Sequence, residues 1–190
     1  MSLPFVQFDN VRVPAKYVLA EDGLGIQVAL SNFNHERWVM CCATIRSARA
    51  VTEQCMLWAN QRKAFGKPLN GQAVVRAKLA HNISAVESVS HWLDAITYNM
   101  TKMSAKQINN DLAGQIAFLK SWSTRVSHDV ADNAVQVFGG RGLTKSGMGK
   151  FIEEFNRTYK FDAVLGGSEE VLADLGVRQA LRFMPTNVKL

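Results

Sequence analysis

The feature that most constrains this chain is the length of its helical patterns. No glycine or proline stands between Gly25 and Gly66, and these are the residues that most readily interrupt a helix. From about Phe33 onward, Val39, Cys42, Ala43, Arg46, Ala50, Cys55, Trp58 and Ala59 recur at spacings of three and four, the period of one helix face. The pattern predicts a helix of about 30 residues. Phe65-Gly66-Lys67-Pro68 is expected to end it, with Gly66 in a C-terminal cap and Pro68 just beyond. A second helix is predicted from about Gln72 to Met100, with Val75, Leu79, Ile83, Val86, Val89 and Trp92 on one stripe. A third runs from near Asn110 to Val137 and carries Leu112, Ile116, Leu119, Trp122, Val126, Val130 and Val135. Gly139-Gly140-Arg141-Gly142 and Gly147-x-Gly149 form a permissive loop. Shorter helices follow at about 150–160 and 168–183.

Long helices joined by short loops predict an all-α, up-and-down helical bundle. Helices of roughly 45 Å exceed what one small domain needs, so lateral packing into a homodimer or homotetramer is expected. The N-terminal stretch reads differently. Phe5-Val6-Gln7-Phe8, the turn pair Asp9-Asn10 and Val11-Arg12-Val13-Pro14 predict a short extended segment. A lone hairpin of this size is not stable by itself, so it is expected to be the end of something larger. Asp22-Gly23-Leu24-Gly25 is a loop, followed by a short amphipathic turn with Ile26, Val28, Ala29 and Leu30. The expected division is a connector over residues 1–30 and a helical bundle domain over 31–190.

Composition narrows the class. Apolar residues make up 47% and charged residues 20% of the 190, which excludes intrinsic disorder. No apolar run approaches the roughly 20 residues of a membrane span. Met1-Ser2-Leu3-Pro4 lacks the basic flank and apolar core of a signal peptide, and Val188-Lys189-Leu190 only half-matches the Ser-Lys-Leu peroxisomal address. Cys41, Cys42 and Cys55 include no Cys-x-x-Cys; free thiols in a reducing intracellular compartment fit them, as buried small hydrophobes ahead of a catalytic thiol. Trp58, Trp92 and Trp122 are assigned to the core. The net charge of +6 is scattered rather than blocked. A solvated surface is its first reading, an anionic ligand such as CoA or a dinucleotide phosphate its second, and nucleic acid its last. No metal site is expected.

Four short motifs lie on this frame: Asn34-His35-Glu36-Arg37, Gln61-Arg62-Lys63-Ala64-Phe65-Gly66-Lys67, Gln136-Val137-Phe138-Gly139-Gly140-Arg141-Gly142, and Leu165-Gly166-Gly167-Ser168-Glu169-Glu170. Each has a plain structural reading. Glu36 opens a helix, where an acidic residue complements the dipole. Arg37 suits a surface ion pair. Arg62 suits a helix C-terminus. The glycine loop is no Rossmann fingerprint, since its spacing is wrong and no strand precedes it.

In this order, over roughly residues 5–185, the motifs resemble the C-terminal helical domain of the acyl-CoA dehydrogenases. The resemblance implies a flavoprotein that takes an α-proton from an acyl-CoA thioester with a Glu while the β-hydride passes to FAD. In most members the base lies in a Tyr-Glu-Gly-Thr segment, where this chain has Leu165-Gly166-Gly167-Ser168. Gly166 cannot abstract a proton. The long-chain and isovaleryl branches carry their base in a Glu-Arg pair at the start of the long helix, and Glu36-Arg37 matches that placement. The resemblance makes Glu36 the base, in a dry slot that raises its pKa. It makes Gly166 a backbone N–H donor to the thioester carbonyl, and Asn34 and Arg37 substrate-placing residues.

It also assigns Arg62 to the flavin pyrophosphate, a contact that suits a planar guanidinium. Gln72 and Gln136 match further flavin-contacting residues, Gly139 and Gly140 the close approach to adenosine, and Ser168 and Glu170 contacts near the phosphates. Ala64 stands where a polar residue is common, and Glu170 brings a negative charge where Gln is usual. The implied partners are acyl-CoA, a second copy of the chain and an electron-transfer flavoprotein. The implied location is the mitochondrial matrix or peroxisome, or the cytoplasm of a bacterium. The N-terminal helical domain and nearly all of the β-domain are expected to be missing, so the chain by itself is expected to bind FAD weakly or not at all. An acyl-CoA oxidase, and a non-catalytic oligomerisation or nucleic-acid-binding bundle, are the alternatives.

Overall fold

The stretch without glycine or proline folds as two helices, α1 (Gly25–Ser31) and α2 (Phe33–Gln61), separated only by Asn32. The structure is a computed structural model and describes residues 4–184; the two terminal motifs, at 1–4 and 188–190, lie largely or wholly outside that range. The chain divides into one compact unit up to Phe33 and a second from Asn34 onward. In the first unit, residues 4–14 form no strand, so the predicted extended hairpin lacks pairing. Extended backbone needs a neighbouring strand to satisfy its N–H and C=O groups, and none is present among the described residues of this unit. A single 3-10 turn, Ala15–Tyr17, and α1 are its regular structure.

The second unit is an antiparallel helical bundle. After α2 come a minimal hairpin of β1 (Lys63–Ala64) and β2 (Lys67–Pro68), then α3 (Ala73–Lys102). The one-turn α4 (Ala105–Gln107) passes through a π-helical turn, Ile108–Leu112, into α5 (Ala113–Phe138). Two 3-10 turns, Gly139–Leu143 and Gly147–Gly149, lead to α6 (Lys150–Val164) and α7 (Glu169–Phe183). α4 is started by a full capping box: the Ser104 hydroxyl accepts from the Gln107 N–H while the Gln107 side chain accepts from the Ser104 N–H. That cap places a helix start five residues before the predicted one.

α5 is the central helix and packs against α3, α6 and α7. Its buried face includes Ile116, Leu119, Val126, Val130 and Ala134. α2 runs antiparallel to α3. Near one end the Trp38 indole donates to Thr97 Oγ1 at 2.9 Å, and near the middle Arg49 Nη1 meets Glu87 at 2.7 Å. At the far end Trp58 stacks on Phe138 of α5, with centroids 5.1 Å apart.

Three details differ from the sequence pattern. α2 ends at Gln61, and Gly66 sits in the hairpin turn rather than in a helix cap. The buried stripe of the first half of α2 is Cys41, Thr44, Ile45 and Ala48, while Val39, Ala43 and Arg46 face outward. Apolar residues surround the helix there from Trp38 to Ala43, so periodicity alone cannot choose a face. Ile83 and Trp122 lie on their predicted stripes but are exposed, Trp122 by 48%. Trp58 is buried and Trp92 half-buried, as expected.

Candidate active site

Two separate groups of motif residues form, one at each end of α2. The first gathers where the start of α2 meets the turn between α6 and α7. Leu165 ends α6 in an extended conformation, Gly166 and Gly167 take φ of 68° and 117°, and Ser168 caps α7. Consecutive left-handed residues favour glycine. A Cβ on Gly166 would lie 2.9 Å from Met40 Sδ, and one on Gly167 3.0 Å from Leu172. The turn therefore favours glycine by conformation, and a side chain at either position would also have to displace Met40 or Leu172.

Arg37 joins this turn to α2. Its Nε donates to the Gly166 carbonyl at 2.9 Å and its Nη1 to Asn34 Oδ1 at 3.4 Å. Burial lowers the Arg37 pKa while the neighbouring Glu36 carboxylate pulls it back up, and a guanidinium stays cationic through such a shift. Asn34 in turn donates to Asn109 Oδ1, on the π-helical turn, at 3.0 Å. Glu36 itself is exposed. The described residues therefore enclose no dry slot around it.

The turn is also held from beneath. The buried Lys120 of α5 donates to the carbonyls of Gly167 at 2.7 Å and Ala163 at 3.2 Å. Carbonyls 166 and 167 thus face a guanidinium and an ammonium. The N–H groups of Gly166, Gly167 and Ser168 have no acceptor among the described residues. Ser168 instead uses its hydroxyl to accept from the Val171 N–H at 3.5 Å. Glu170 is exposed. Its own backbone N–H, then Ser168, hold its carboxyl below the usual range, so it is an anion that repels phosphate.

The second group lies around the other end of α2. Arg62, Lys63, Arg141, Met148, Gln61 and Trp58 line a depression of about 480 Å³. Three cations and an aromatic face suit a phosphate next to a flat ring. The Arg141 guanidinium lies 5.8 Å from the Trp58 ring centre. Gly139, at φ 61°, ends α5 and opens the loop that carries Arg141. Gly140 and Gln136 are exposed on the same segment. Ala64 is in β1 beside Arg62. Gln72 precedes α3 with a buried amide nitrogen that has no acceptor among the described residues.

Sequence reasoning missed Lys63, Phe65, Asn109, Lys120 and Arg141. Phe65 is 95% exposed at the hairpin tip, with φ 51°; its place inside the Arg62 motif was the available signal. Lys120 gave none, because a lysine in a long helix reads as surface.

Residues 23–181 match the model of the acyl-CoA dehydrogenase C-terminal domain. The chain is 32% identical over 185 residues to an Emericella nidulans acyl-CoA dehydrogenase, apdG, covering 97% of this chain and 42% of that protein. It superposes on butyryl-CoA dehydrogenase from Megasphaera elsdenii with a TM-score of 0.81 at 25% identity, over 92% of this chain and 43% of that one. A Bacillus anthracis acyl-CoA dehydrogenase complexed with FAD gives 0.78 at 24% identity, over 90% and 31%. The chain thus spans less than half the length of the relatives it matches. Fold, motif order and sequence agree, and the chain belongs to the acyl-CoA dehydrogenase family as its C-terminal domain.

Proposed function

We propose that the full-length protein carries out α,β-dehydrogenation of an acyl-CoA thioester, with Glu36 as the base and Gly166 as a backbone donor. The observation that carries this reading is the 2.9 Å bond from Arg37 to the Gly166 carbonyl, which joins the Glu-Arg pair to a turn 129 residues away. Glu36 lies in the first turn of α2 next to Arg37, and this reading puts its carboxylate and the turn's open N–H groups on the same thioester. A thioester carbonyl that accepts from the Gly166 N–H has its α-proton made more acidic. Glu36 then takes that proton. FAD, when bound, supplies the acceptor for the β-hydride.

The arrangement of cations supports the cofactor as well. Arg62, Lys63 and Arg141 offer charge for a pyrophosphate, beside the Trp58 face. Glu36 and Arg62 are separated by most of α2, however, ~38 Å at 1.5 Å per residue. One FAD cannot reach both, since only a short ribityl chain links its ring to its phosphates. Each flavin site is therefore shared between two copies of the chain, with Arg62 and the Gly139-Gly140 loop from one and Glu36 with Gly166 and Ser168 from the other. An electron-transfer flavoprotein is the expected acceptor downstream.

Glu36→Gln tests the reading, because it keeps size and hydrogen bonding but removes basicity. In the full-length protein acyl-CoA binding should persist while flavin reduction slows by at least about 10². Rapid-mixing measurement of flavin bleaching decides it, and near-normal bleaching would remove Glu36 as the base.

A further inference from the structure

Lys120 is the largest fully buried side chain of the core, 1% exposed, and nothing in the chemistry above uses it. An apolar residue of the same length would fill the space without the desolvation cost of a charge. Its ammonium is instead spent on two backbone carbonyls, Gly167 and Ala163. The groups facing it are Cys41 and Arg37 of α2, Asp162 of α6 and Glu169 of α7. Glu169 is itself tied to α5, accepting from Thr124 Oγ1 at 2.9 Å and lying 3.6 Å from Arg125. The Ser121 hydroxyl donates to the Glu169 carbonyl at 3.2 Å.

We propose that Lys120 is a positioning residue of the active site, whose buried ammonium holds the Gly166–Ser168 turn from beneath so that its N–H groups face the substrate side. The proposal rests on the reading of Gly166 as carbonyl donor. Two glycines with positive φ do not hold one conformation by themselves. Arg37 pins the Gly166 carbonyl from one side and Lys120 pins the Gly167 carbonyl from the other. Each cation also polarises the peptide it touches, which strengthens the following N–H as a donor, at Gly167 and at Ser168. A small displacement of such donors has a large kinetic effect.

Lys120→Met keeps an unbranched stem and removes the ammonium. In the full-length, flavin-loaded protein it should slow flavin reduction about tenfold or more, while acyl-CoA affinity changes by less than about threefold. The second readout needs no flavin. Burial lowers the Lys120 pKa, so the Gly166, Gly167 and Ser168 amide resonances of the wild-type chain should titrate in step with Lys120, below the ordinary lysine range. In Lys120→Met they should be displaced and flat over that range, with the Ile116 and Val126 amides unmoved. If Lys120→Met does not fold, the wild-type titration still decides. Turn amides that stay put while Lys120 titrates would overturn the proposal, and so would normal flavin reduction in Lys120→Met. Normal bleaching in Glu36→Gln with the turn still coupled to Lys120 would reject the base and leave the positioning role standing.

Discussion

Gly166 shows how much a single position fixes. Its φ of 68° strains any L side chain, and a Cβ there would displace the nearby Met40 sulfur. Gly166→Ala should cost about 1–2 kcal/mol from the left-handed backbone alone, read from equilibrium urea unfolding. An unchanged midpoint would mean that the turn relaxes freely. A carboxylate placed at Gly166 to rescue Glu36→Gln would meet the same strain. The cysteines give a pH signature. Burial pushes the Cys41 and Cys55 thiols up to about 12, against about 8.5 in an unfolded chain. The folded state therefore keeps protons that the unfolded state releases. Stability is fully retained below about pH 8.5 and falls as pH rises toward 12. The Cys41→Ala, Cys55→Ala double variant, although less stable at neutral pH, should lose less stability between about pH 8 and 10.5 than wild type. Equal losses would show that the thiols do not drive alkaline unfolding.

At the scale of elements, the 3-10 turns after α5 present Arg141, and Gly149 sets their spacing. A Cβ on Gly149 would run into the Arg141 backbone carbonyl. Gly149→Ala must push the two turns apart. It should destabilise by about 1–3 kcal/mol, as other overpacking changes do, and weaken flavin retention in the full-length protein. Unchanged thermal unfolding and retention would show that the loop has slack. The β1–β2 hairpin carries the opposite kind of strain. Phe65 takes φ 51° while fully open to solvent, a conformation Asn tolerates better. Phe65→Asn should raise stability by a few tenths to about 1 kcal/mol. A lower midpoint would mean that the Phe65 ring has a packing partner.

At the scale of the whole molecule, the length of α2 separates Glu36 from Arg62, which is the ground for proposing a shared site. Exposed apolar residues on α5 to α7, among them Trp122, Phe151, Val171 and Leu181, leave surface for assembly. Mixing tests the sharing directly. Full-length Arg62→Ala and Glu36→Gln proteins should each be impaired, the first in flavin retention and the second in flavin reduction. Unfolded together and refolded, they should form mixed dimers with one intact site, carrying Glu36 from one subunit and Arg62 from the other. Activity that rises above both parents supports sharing, and activity that stays at their mean overturns it.

The sequence by itself determined the helices and their order. Apolar spacing of three and four is a local property, and so are glycine, proline and capping signals. That is why α2, α3, α5, α6 and α7 were legible to within a few residues, apart from the early start at Ser104 and the missing hairpin at residues 4–14. The motif positions were legible too, because they are contiguous. The tertiary structure alone decided which face of α2 is buried, since apolar residues ring its first half. It alone joined Arg37 to Gly166 and brought Lys120 beneath the glycine turn, because hydrogen bonds between distant segments leave no periodicity in the chain. A buried lysine and a solvated one look the same in a sequence, and only the packing around Lys120 distinguishes them.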